Sequence, residues 1–258
     1  MNTSAYLKRL HLDINLNNDY KTLKTLHRAQ AFSIPFENFN VQLKRPIPLD
    51  KESLFQKLIV EQKGGYCYEL NILFYFLLQE LGFETTLLIG RPLYGYKNAI
   101  RPKTHMVLKV HIEGISYLCD LGFGGRGLIE PLELVYEKEN EQFGDIFKLI
   151  PHTEGYELQC KIEDHWVPLY SFDLNAQNLI DYELANFFNR HSEDSRFTQQ
   201  IICAMPTPEG RILLLDKEFK SSHGRTEITS NEQYNSILKD NFGIFQNLAE
   251  ALFTSKNF

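Results

Sequence analysis

The sequence has no long apolar run and no cluster of basic charge. Its densest apolar segment, residues 72–78, has seven residues, whereas a helix that crosses a bilayer needs about 20. Residues 1–20 alternate polar and apolar side chains and lack the apolar core of a signal peptide. Because the net charge is −6 and the basic residues are scattered, nucleic acid is a poor partner. These absences predict a cytoplasmic protein that binds neither membrane nor nucleic acid.

Paired cysteines are also lacking. The four cysteines are Cys67, Cys119, Cys160 and Cys203. None belongs to a CxxC pair, and no Cys/His cluster has the spacing of a zinc site. We therefore expect free thiols and no bound metal, which leaves a cysteine available for catalysis.

The first third of the chain has the apolar spacing of helices. We predict a helix over residues 18–30 capped by Asn18, and a second helix that is capped by Asp50 and ends at Gly64-Gly65. A third helix is predicted over residues 67–81. It is apolar on every side, which is typical of a helix inside a protein.

From residue 84 the pattern changes to short β-branched and aromatic runs separated by turns. The predicted strands are residues 84–89, 104–112, 115–121, 132–136, 146–150, 156–162 and 166–170. Such a succession favours an antiparallel sheet or a small barrel. After it we predict a helix over 176–188, a hairpin of 199–205 with 211–215, and a helix from the Ser230 cap to Gly243.

Cys67 begins the predicted apolar helix, directly after Gly64-Gly65-Tyr66. The unpaired N–H groups and partial positive charge of a helix N-terminus favour a thiolate, and a nearby histidine favours it further. The alternative is a small buried side chain, which is the usual state of a cysteine. The position of Cys67 and its possible partners downstream favour a nucleophile.

A cysteine nucleophile needs a base, and the base needs an orienting group. His105 begins one predicted strand, and Asp120 lies at the end of the next. If Glu113-Gly114 forms the turn, paired residue numbers add to 227, so His105 faces Gly122 and Asp120 lies diagonally on the same side. A shift of one residue in register would move the carboxylate to the other face.

The other histidines are weaker candidates. His111 shares the side-chain direction of His105 but lies nearer the turn. We interpret the remaining ones as solvated surface residues: His11, His27, His152, His165, His191 and His223.

Two further segments carry possible functional groups. The N–H groups of the glycine-rich loop 122–127 could bind an anion such as phosphate, with Arg126 adding charge; the alternative is a flexible turn. Phe36 is a core residue by default, and Glu37 after it needs a cation if it is buried. Lys63 is one candidate for that cation.

Several segments, taken in chain order, resemble the bacterial arylamine N-acetyltransferases. They are IPFEN at 34–38, GGYCYE at 64–69, THM at 104–106, DLGFGG at 120–125, PLEL at 131–134 and PTPEGR at 206–211. The resemblance spans most of the chain. It implies an α+β fold with an N-terminal helical bundle (1–83), a central antiparallel β-barrel (84–190) and a C-terminal α/β lid (191–258).

The resemblance also implies a catalytic arrangement like that of cysteine proteases. By position, Cys67 is the nucleophile, His105 the base and Asp120 the orienting acid. The family moves acetyl from acetyl-CoA onto the cysteine and then onto the nitrogen of an arylamine or arylhydrazine. Phe36 and Phe123 match positions that line the acceptor pocket.

Further matches concern CoA. The positions matched to its thiol arm and pyrophosphate are Thr104, Gly124, Gly125, Arg126 and Gly127. The chain departs from the family at Lys63, where arginine is usual, and at Leu70, which is often polar. Lysine lacks the bidentate fork, so we expect a weaker or displaced pairing with Glu37.

Two other functions use the same residues. A thiol peptidase or transglutaminase-like enzyme has the same Cys-His-Asp order, although the implied lid disfavours a peptidase. A non-catalytic scaffold of the same fold is the second alternative. A charged Asp120 in apolar surroundings argues against the scaffold, because burying a charge is costly.

Overall fold

The fold comes from a computed structural model, which describes residues 1–96 and 100–253. The α-helices are α1 Thr3–Arg9, α2 Tyr20–Ser33, α3 Phe39–Gln42, α4 Lys51–Phe55, α5 Cys67–Glu80, α6 Tyr182–His191, α7 Arg196–Gln199, α8 Asn231–Phe242 and α9 Ala249–Phe253. A π-helical turn, Gln56–Val60, continues α4, and a 3-10 turn, Leu179–Asp181, precedes α6. None of the helices in these residues has the length and apolar character to cross a bilayer.

The strands form two antiparallel sheets. They are β1 Phe36–Glu37, β2 Glu84–Pro92, β3 His105–Ile112, β4 Ile115–Cys119, β5 Leu132–Glu133, β6 Asn140–Gln142, β7 Asp145–His152, β8 Gly155–Ile162, β9 His165–Phe172, β10 Ile202–Thr207, β11 Gly210–Leu215, β12 Glu218–Ser221 and β13 Gly224–Glu227. The larger sheet has the order β5-β4-β3-β2-β9-β8-β7-β6, and the smaller one β1-β10-β11-β12-β13.

The larger sheet curls into a nearly closed barrel. Tyr136, just after β5, forms a bridge with Leu149 of β7, which brings the two edges of the sheet together. Apolar side chains such as Leu88, Phe147 and Leu158 form a separate buried cluster there. The mixture of helices with a barrel-like antiparallel sheet confirms the predicted α+β class.

The register of β3 with β4 confirms the sequence prediction. Leu108 pairs with Cys119 and Ile112 pairs with Ile115, so the paired numbers add to 227. The strand ends at Cys119, two residues earlier than predicted, and Asp120 lies just beyond the last pair. The predicted strand 132–136 is shortened to β5, because the chain after Glu133 turns toward β7.

The start of α2 differs from the prediction. Asp19, not Asn18, is the cap: its Oδ1 accepts the Thr22 N–H at 2.7 Å. Asn18 instead donates its side-chain amide to the carbonyl of Gly82 at 2.6 Å, which fixes the end of α5. The Asp50 cap is confirmed by its 2.9 Å hydrogen bond from the Ser53 N–H.

Close backbone contact fixes the start of α5. A Cβ atom at Gly64 would lie 2.4 Å from the carbonyl oxygen of Pro35, so only glycine fits there. The helix packs against β2 and β3 and is buried along most of its length. Its N-terminus, with Cys67, therefore points into the interior between helices and barrel.

The smaller sheet joins distant parts of the sequence. β1 pairs with β10 through Phe36 with Ala204 and Glu37 with Cys203, so a strand of the predicted helical bundle completes the sheet of the predicted lid. The β10–β11 hairpin is confirmed, whereas β12 and β13 were not predicted. Residues 254–258 of the predicted lid lie outside the described residues.

The helices around the smaller sheet follow the prediction closely. Ser230 caps α8 by accepting the Gln233 N–H at 3.2 Å, and Gly243 ends it with a φ of 65°. The helix predicted over 176–188 begins later, at the 3-10 turn, and continues to the end of α6.

Candidate active site

Cys67 is the first residue of α5 and is almost fully buried. Its Sγ lies 3.9 Å from the carbonyl oxygen of Thr104, the residue before β3. Gly122 passes so close that a Cβ on it would lie 2.3 Å from Cys67 Cα. The thiol is therefore held between the start of β3 and the loop that follows β4.

Burial dominates the acidity of this thiol. It raises the pKa of Cys67 to about 12, although the N–H groups of Met106 and Tyr68 favour the thiolate. The nearby Asp120 charge raises the pKa further. Desolvation therefore opposes the helix-end N–H groups, which were expected from the sequence to favour the thiolate.

His105 and Asp120 are in contact, as the register predicted. His105 Nε2 lies 2.8 Å from Asp120 Oδ2, and both side chains are buried. Burial would raise the pKa of Asp120, but His105 and the hydrogen bonds from Gly122 N–H and Asn71 outweigh it, so the pKa is lowered. The carboxylate is therefore charged at neutral pH and able to orient the imidazole.

His27 supports Asp120 from behind, a role that the sequence interpretation missed. Its ring is fully buried; Nδ1 lies 2.9 Å from the carbonyl oxygen of Ile129, and Nε2 accepts the Asp120 N–H at 3.1 Å. Burial lowers the pKa of His27 to about 4, so the ring is neutral. The prediction of a solvated His27 was wrong. Its place one helical turn after Leu23, on the buried face of α2, was the available signal.

A cavity of about 340 Å³ opens in front of Cys67 and His105. The residues predicted for substrate and CoA that line it are Phe36, Thr104, Phe123, Gly124, Gly125 and Arg126. Gly127 lies farther on, where it lines a smaller cavity of about 30 Å³.

The chain was compared with known proteins. The N-acetyltransferase family model matches residues 19–251. An arylamine N-acetyltransferase / N-hydroxyarylamine O-acetyltransferase of Salmonella typhimurium is 36% identical over 211 residues, which cover 82% of this chain and 75% of that protein. An arylamine N-acetyltransferase of Mycolicibacterium smegmatis is 32% identical over 255 residues, which cover 95% of this chain and 92% of that protein. The chain belongs to the arylamine N-acetyltransferase family.

Solved structures of the family have the same fold. The arylamine N-acetyltransferase structure from Salmonella typhimurium superposes with a TM-score of 0.92 at 30% identity, covering 97% of both chains. The Mycobacterium marinum arylamine N-acetyltransferase in complex with CoA gives 0.89 at 28% identity, covering 96% of this chain and 94% of that one. The family predicted from the sequence is thereby confirmed.

Asn71, one helical turn after Cys67, also contributes to this N-acetyltransferase site. Its Nδ2 donates to the Met106 carbonyl at 2.7 Å and to Asp120 Oδ1 at 3.2 Å, while its Oδ1 accepts the Leu121 N–H at 2.9 Å. The side chain thus ties α5 to β3 and to the loop after β4. A polar residue in an otherwise apolar helix was the signal for it.

Tyr170 packs its ring against His105, with 4.7 Å between centroids, and against Phe123 at 5.2 Å. Its hydroxyl is buried and makes no hydrogen bond within the part of the chain that the structure describes. Burial and the charge of Asp120 raise the pKa of Tyr170. The ring limits rotation of the imidazole.

The glycine loop is held from outside by Arg211 of the PTPEGR segment. Arg211 donates to the carbonyls of Gly125 and Gly127, each at 2.7 Å, and its Nε lies 2.6 Å from Asp145. Arg126 also pairs with Asp145, at 2.7 Å, so the two arginines share one carboxylate. Two guanidinium groups and one carboxylate therefore leave one net positive charge beside the loop.

The predicted pairing of Lys63 with Glu37 is wrong. Lys63 lies 2.6 Å from Glu61 at the surface. Lys57 reaches Glu37 instead, at 3.2 Å, and also Glu69, at 2.7 Å. The π-helical turn carries Lys57 inward, whereas Lys63 follows the end of that turn and stays near solvent.

Proposed function

We propose that this chain transfers an acetyl group from acetyl-CoA to the nitrogen of an arylamine or arylhydrazine through a thioester on Cys67. The observation that carries the proposal is the buried His105–Asp120 hydrogen bond at the cavity onto which Cys67 opens. Membership of the family supports it, as does the CoA complex of the Mycobacterium marinum relative. The three residues act as nucleophile, base and orienting acid.

The first half-reaction follows from the acidity of the thiol. Because burial raises the pKa of Cys67, His105 takes the Sγ proton as sulfur attacks the acetyl carbonyl. Nε2 is engaged by Asp120, so Nδ1 receives this proton. A new C–S bond forms to Cys67, the bond to the CoA sulfur breaks, and the proton passes to the departing CoA thiolate.

The second half-reaction reverses these roles. The amine nitrogen attacks the acetyl carbonyl and gives a proton to His105. The bond to Cys67 Sγ breaks, the sulfur recovers the proton, and the N-acetyl product leaves. One nucleophile and one base therefore serve both steps, since the donor must leave before the acceptor reacts.

The residues lining the cavity divide between the two substrates. Phe36 and Phe123 supply apolar walls suited to the flat ring of the acceptor. Thr104 with Gly124, Gly125 and Arg126 faces the donor arm and its phosphates. Gly127 acts through the shape of the loop, because its N–H donates to Gly124 O at 2.9 Å.

We also propose that the chain divides into three regions, 1–83, 84–190 and 191–258. One group of buried apolar side chains lies within the second region, and another, apart from Phe39, lies within the third, whereas the largest group joins the first region to barrel residues such as Met106 and Leu108. β1 crosses the division by joining the smaller sheet, so the first and third regions are expected to unfold together.

The test is mass spectrometry after mixing with acetyl-CoA in the absence of acceptor. We expect one added acetyl group on Cys67, none in Cys67→Ala, and normal acetylation in Cys160→Ala, whose cysteine is buried in the barrel. A panel of arylamines should then discharge the acetyl group. Peptide cleavage without acetylation would favour the thiol peptidase. An unreactive Cys67 would favour the scaffold.

A further inference from the structure

Three charged side chains from separate segments meet behind Cys67. Lys57 comes from the π-helical turn, Glu69 from the first turn of α5 and Glu37 from β1. Lys57 Nζ lies 2.7 Å from Glu69 Oε1 and 3.2 Å from Glu37 Oε1. The two carboxylates are 2% and 3% exposed and the lysine side chain 13%, so water screens these charges little.

Each carboxylate uses its second oxygen to hold backbone. Glu69 Oε2 accepts the N–H of Tyr66, the residue before Cys67, at 3.1 Å. Glu37 Oε2 accepts the N–H of Phe39 at 2.6 Å. Lys57 therefore joins the cap of the nucleophile's helix to the strand that carries Phe36, a wall of the cavity.

The segment between these anchors has little freedom. Gly65 donates its N–H to Pro35 O at 3.2 Å, and its carbonyl accepts the Glu37 N–H at 2.9 Å. A Cβ on Gly65 would lie 2.8 Å from Glu69 Cβ. A shift of Glu69 is thus transmitted directly to the backbone that precedes Cys67.

Removing the lysine would leave two buried carboxylates side by side. Burial and Glu37 both raise the pKa of Glu69, and Lys57 opposes them. Without Lys57 the pair must take up a proton or separate, because like charges in a dry site repel. Either change alters the acceptor that holds the Tyr66 N–H.

We propose that Lys57 is a positioning residue for acetyl transfer, which holds Cys67 in its reactive place through Glu69 and Glu37. Lys63 does not have this positioning role, although it occupies the position where the resemblance would place the family arginine. The inference rests on the proposed function, since it deepens the role of the same site.

The test compares Lys57→Met with its matched control Lys63→Met, which removes a lysine of the same segment that pairs only at the surface. The measurements are the rate of Cys67 acetylation by acetyl-CoA and the rate of its alkylation by iodoacetamide, both at a temperature where each variant is folded by circular dichroism. Both rates should be about tenfold to 100-fold lower in Lys57→Met, because a small misplacement of a nucleophile slows its reaction by about that factor. Lys63→Met should stay within about twofold of wild type.

Lys57→Arg separates positioning from general stabilisation. It keeps the charge and should recover most of the acetylation rate, with kcat/KM for acetyl-CoA restored to near the wild-type value. A merely structural lysine would move the melting temperature and leave the folded enzyme's rate constants alone. If Lys57→Met does not fold, Glu69→Gln takes its place, because the amide keeps the Tyr66 contact and loses the ion pair.

Equal rates for wild type and Lys57→Met, or for wild type and Glu69→Gln if that variant is needed, would overturn the inference. Equal slowing in Lys63→Met would overturn it too. Failure of the proposed function is distinguishable: wild type would then not be acetylated at all, and the alkylation rates alone would decide the role of Lys57.

Discussion

The chemistry of Cys67 is decided by what surrounds it more than by its place on a helix. Water is excluded from the thiol, and its pKa rises to about 12. A neighbouring base that accepts the thiol proton offsets this cost of burial. In the proposed mechanism that base is His105, and Asp120, which stays charged behind the ring, orients it.

At the residue scale, His105→Gln should slow acetylation of Cys67 by about 10² to 10⁴-fold, the usual contribution of a general base. The control is His111→Gln, a histidine of the same strand that bonds Ser116 at 3.0 Å instead. Rapid mixing with acetyl-CoA, quenching and mass spectrometry measure the rate of Cys67 acetylation in both variants. A His105→Gln variant acetylated at the wild-type rate would remove the base from the mechanism.

A second residue-scale prediction concerns buried hydroxyls. Tyr182 donates its hydroxyl to the Leu88 carbonyl at 2.9 Å, so Tyr182→Phe should lower the free energy of unfolding by about 1 kcal/mol or more. Tyr170→Phe removes a hydroxyl without a hydrogen bond in the described residues and should leave that free energy unchanged or raise it. Urea unfolding measures both. A larger loss at Tyr170 would show that its hydroxyl bonds Asp120 in solution.

At the scale of elements, short contacts at helix and strand ends place the site. α5 begins where Gly64 passes Pro35, and the loop after β4 can approach Cys67 only because it carries Gly122 at the point of contact. Asn71 then ties α5 to the barrel. The nucleophile and the His105–Asp120 pair belong to different elements, and these contacts hold them together.

The cap of α8 gives a prediction at this scale. Ser230→Ala should destabilise the protein by about 1 kcal/mol, because the Gln233 N–H at the helix start loses its acceptor. Ser236→Ala on the same helix is the control; its exposed hydroxyl bonds only Asp240, and its loss should change the free energy of unfolding by less than about 0.5 kcal/mol. Equal effects of the two substitutions in urea unfolding would contradict the role of the cap.

At the scale of the whole molecule, the buried His27 makes the free energy of unfolding depend on pH. Its pKa is about 4 when folded and near the ordinary 6.5 when unfolded, so the unfolded chain binds the extra proton between these values. Stability from His27 is therefore complete above pH 6.5 and is lost as the pH falls toward 4. The loss should amount to about 3 kcal/mol, measured as the free energy of unfolding at each pH.

The matched variant for this prediction is His27→Gln, whose amide can donate to Ile129 and accept from Asp120 but does not titrate. Its free energy of unfolding should change less than that of wild type between pH 6.5 and 4. Parallel curves for the two proteins would show that His27 takes up its proton as readily in the folded state as in the unfolded one.

Much of this architecture follows from local pattern. The turn at Glu113-Gly114 and the alternation of its flanking strands fixed the register that brings His105 to Asp120, and the contact is found. The apolar character of residues 67–80 indicated a buried helix, and the structure buries it. Such features are encoded within a few residues of each other, so they need no knowledge of the whole fold.

Other features depend on contacts between residues far apart in sequence. Whether Lys57 or Lys63 meets Glu37, whether His27 faces water or Asp120, and how strongly burial opposes the Cys67 thiolate were settled only when helices, barrel and smaller sheet packed together. Local patterns in the chain were enough to identify the family, to place the main elements and to propose which side chains carry the chemistry. Tertiary structure decided their partners and acidity, because desolvation and ion pairing depend on which distant surfaces exclude water from a group.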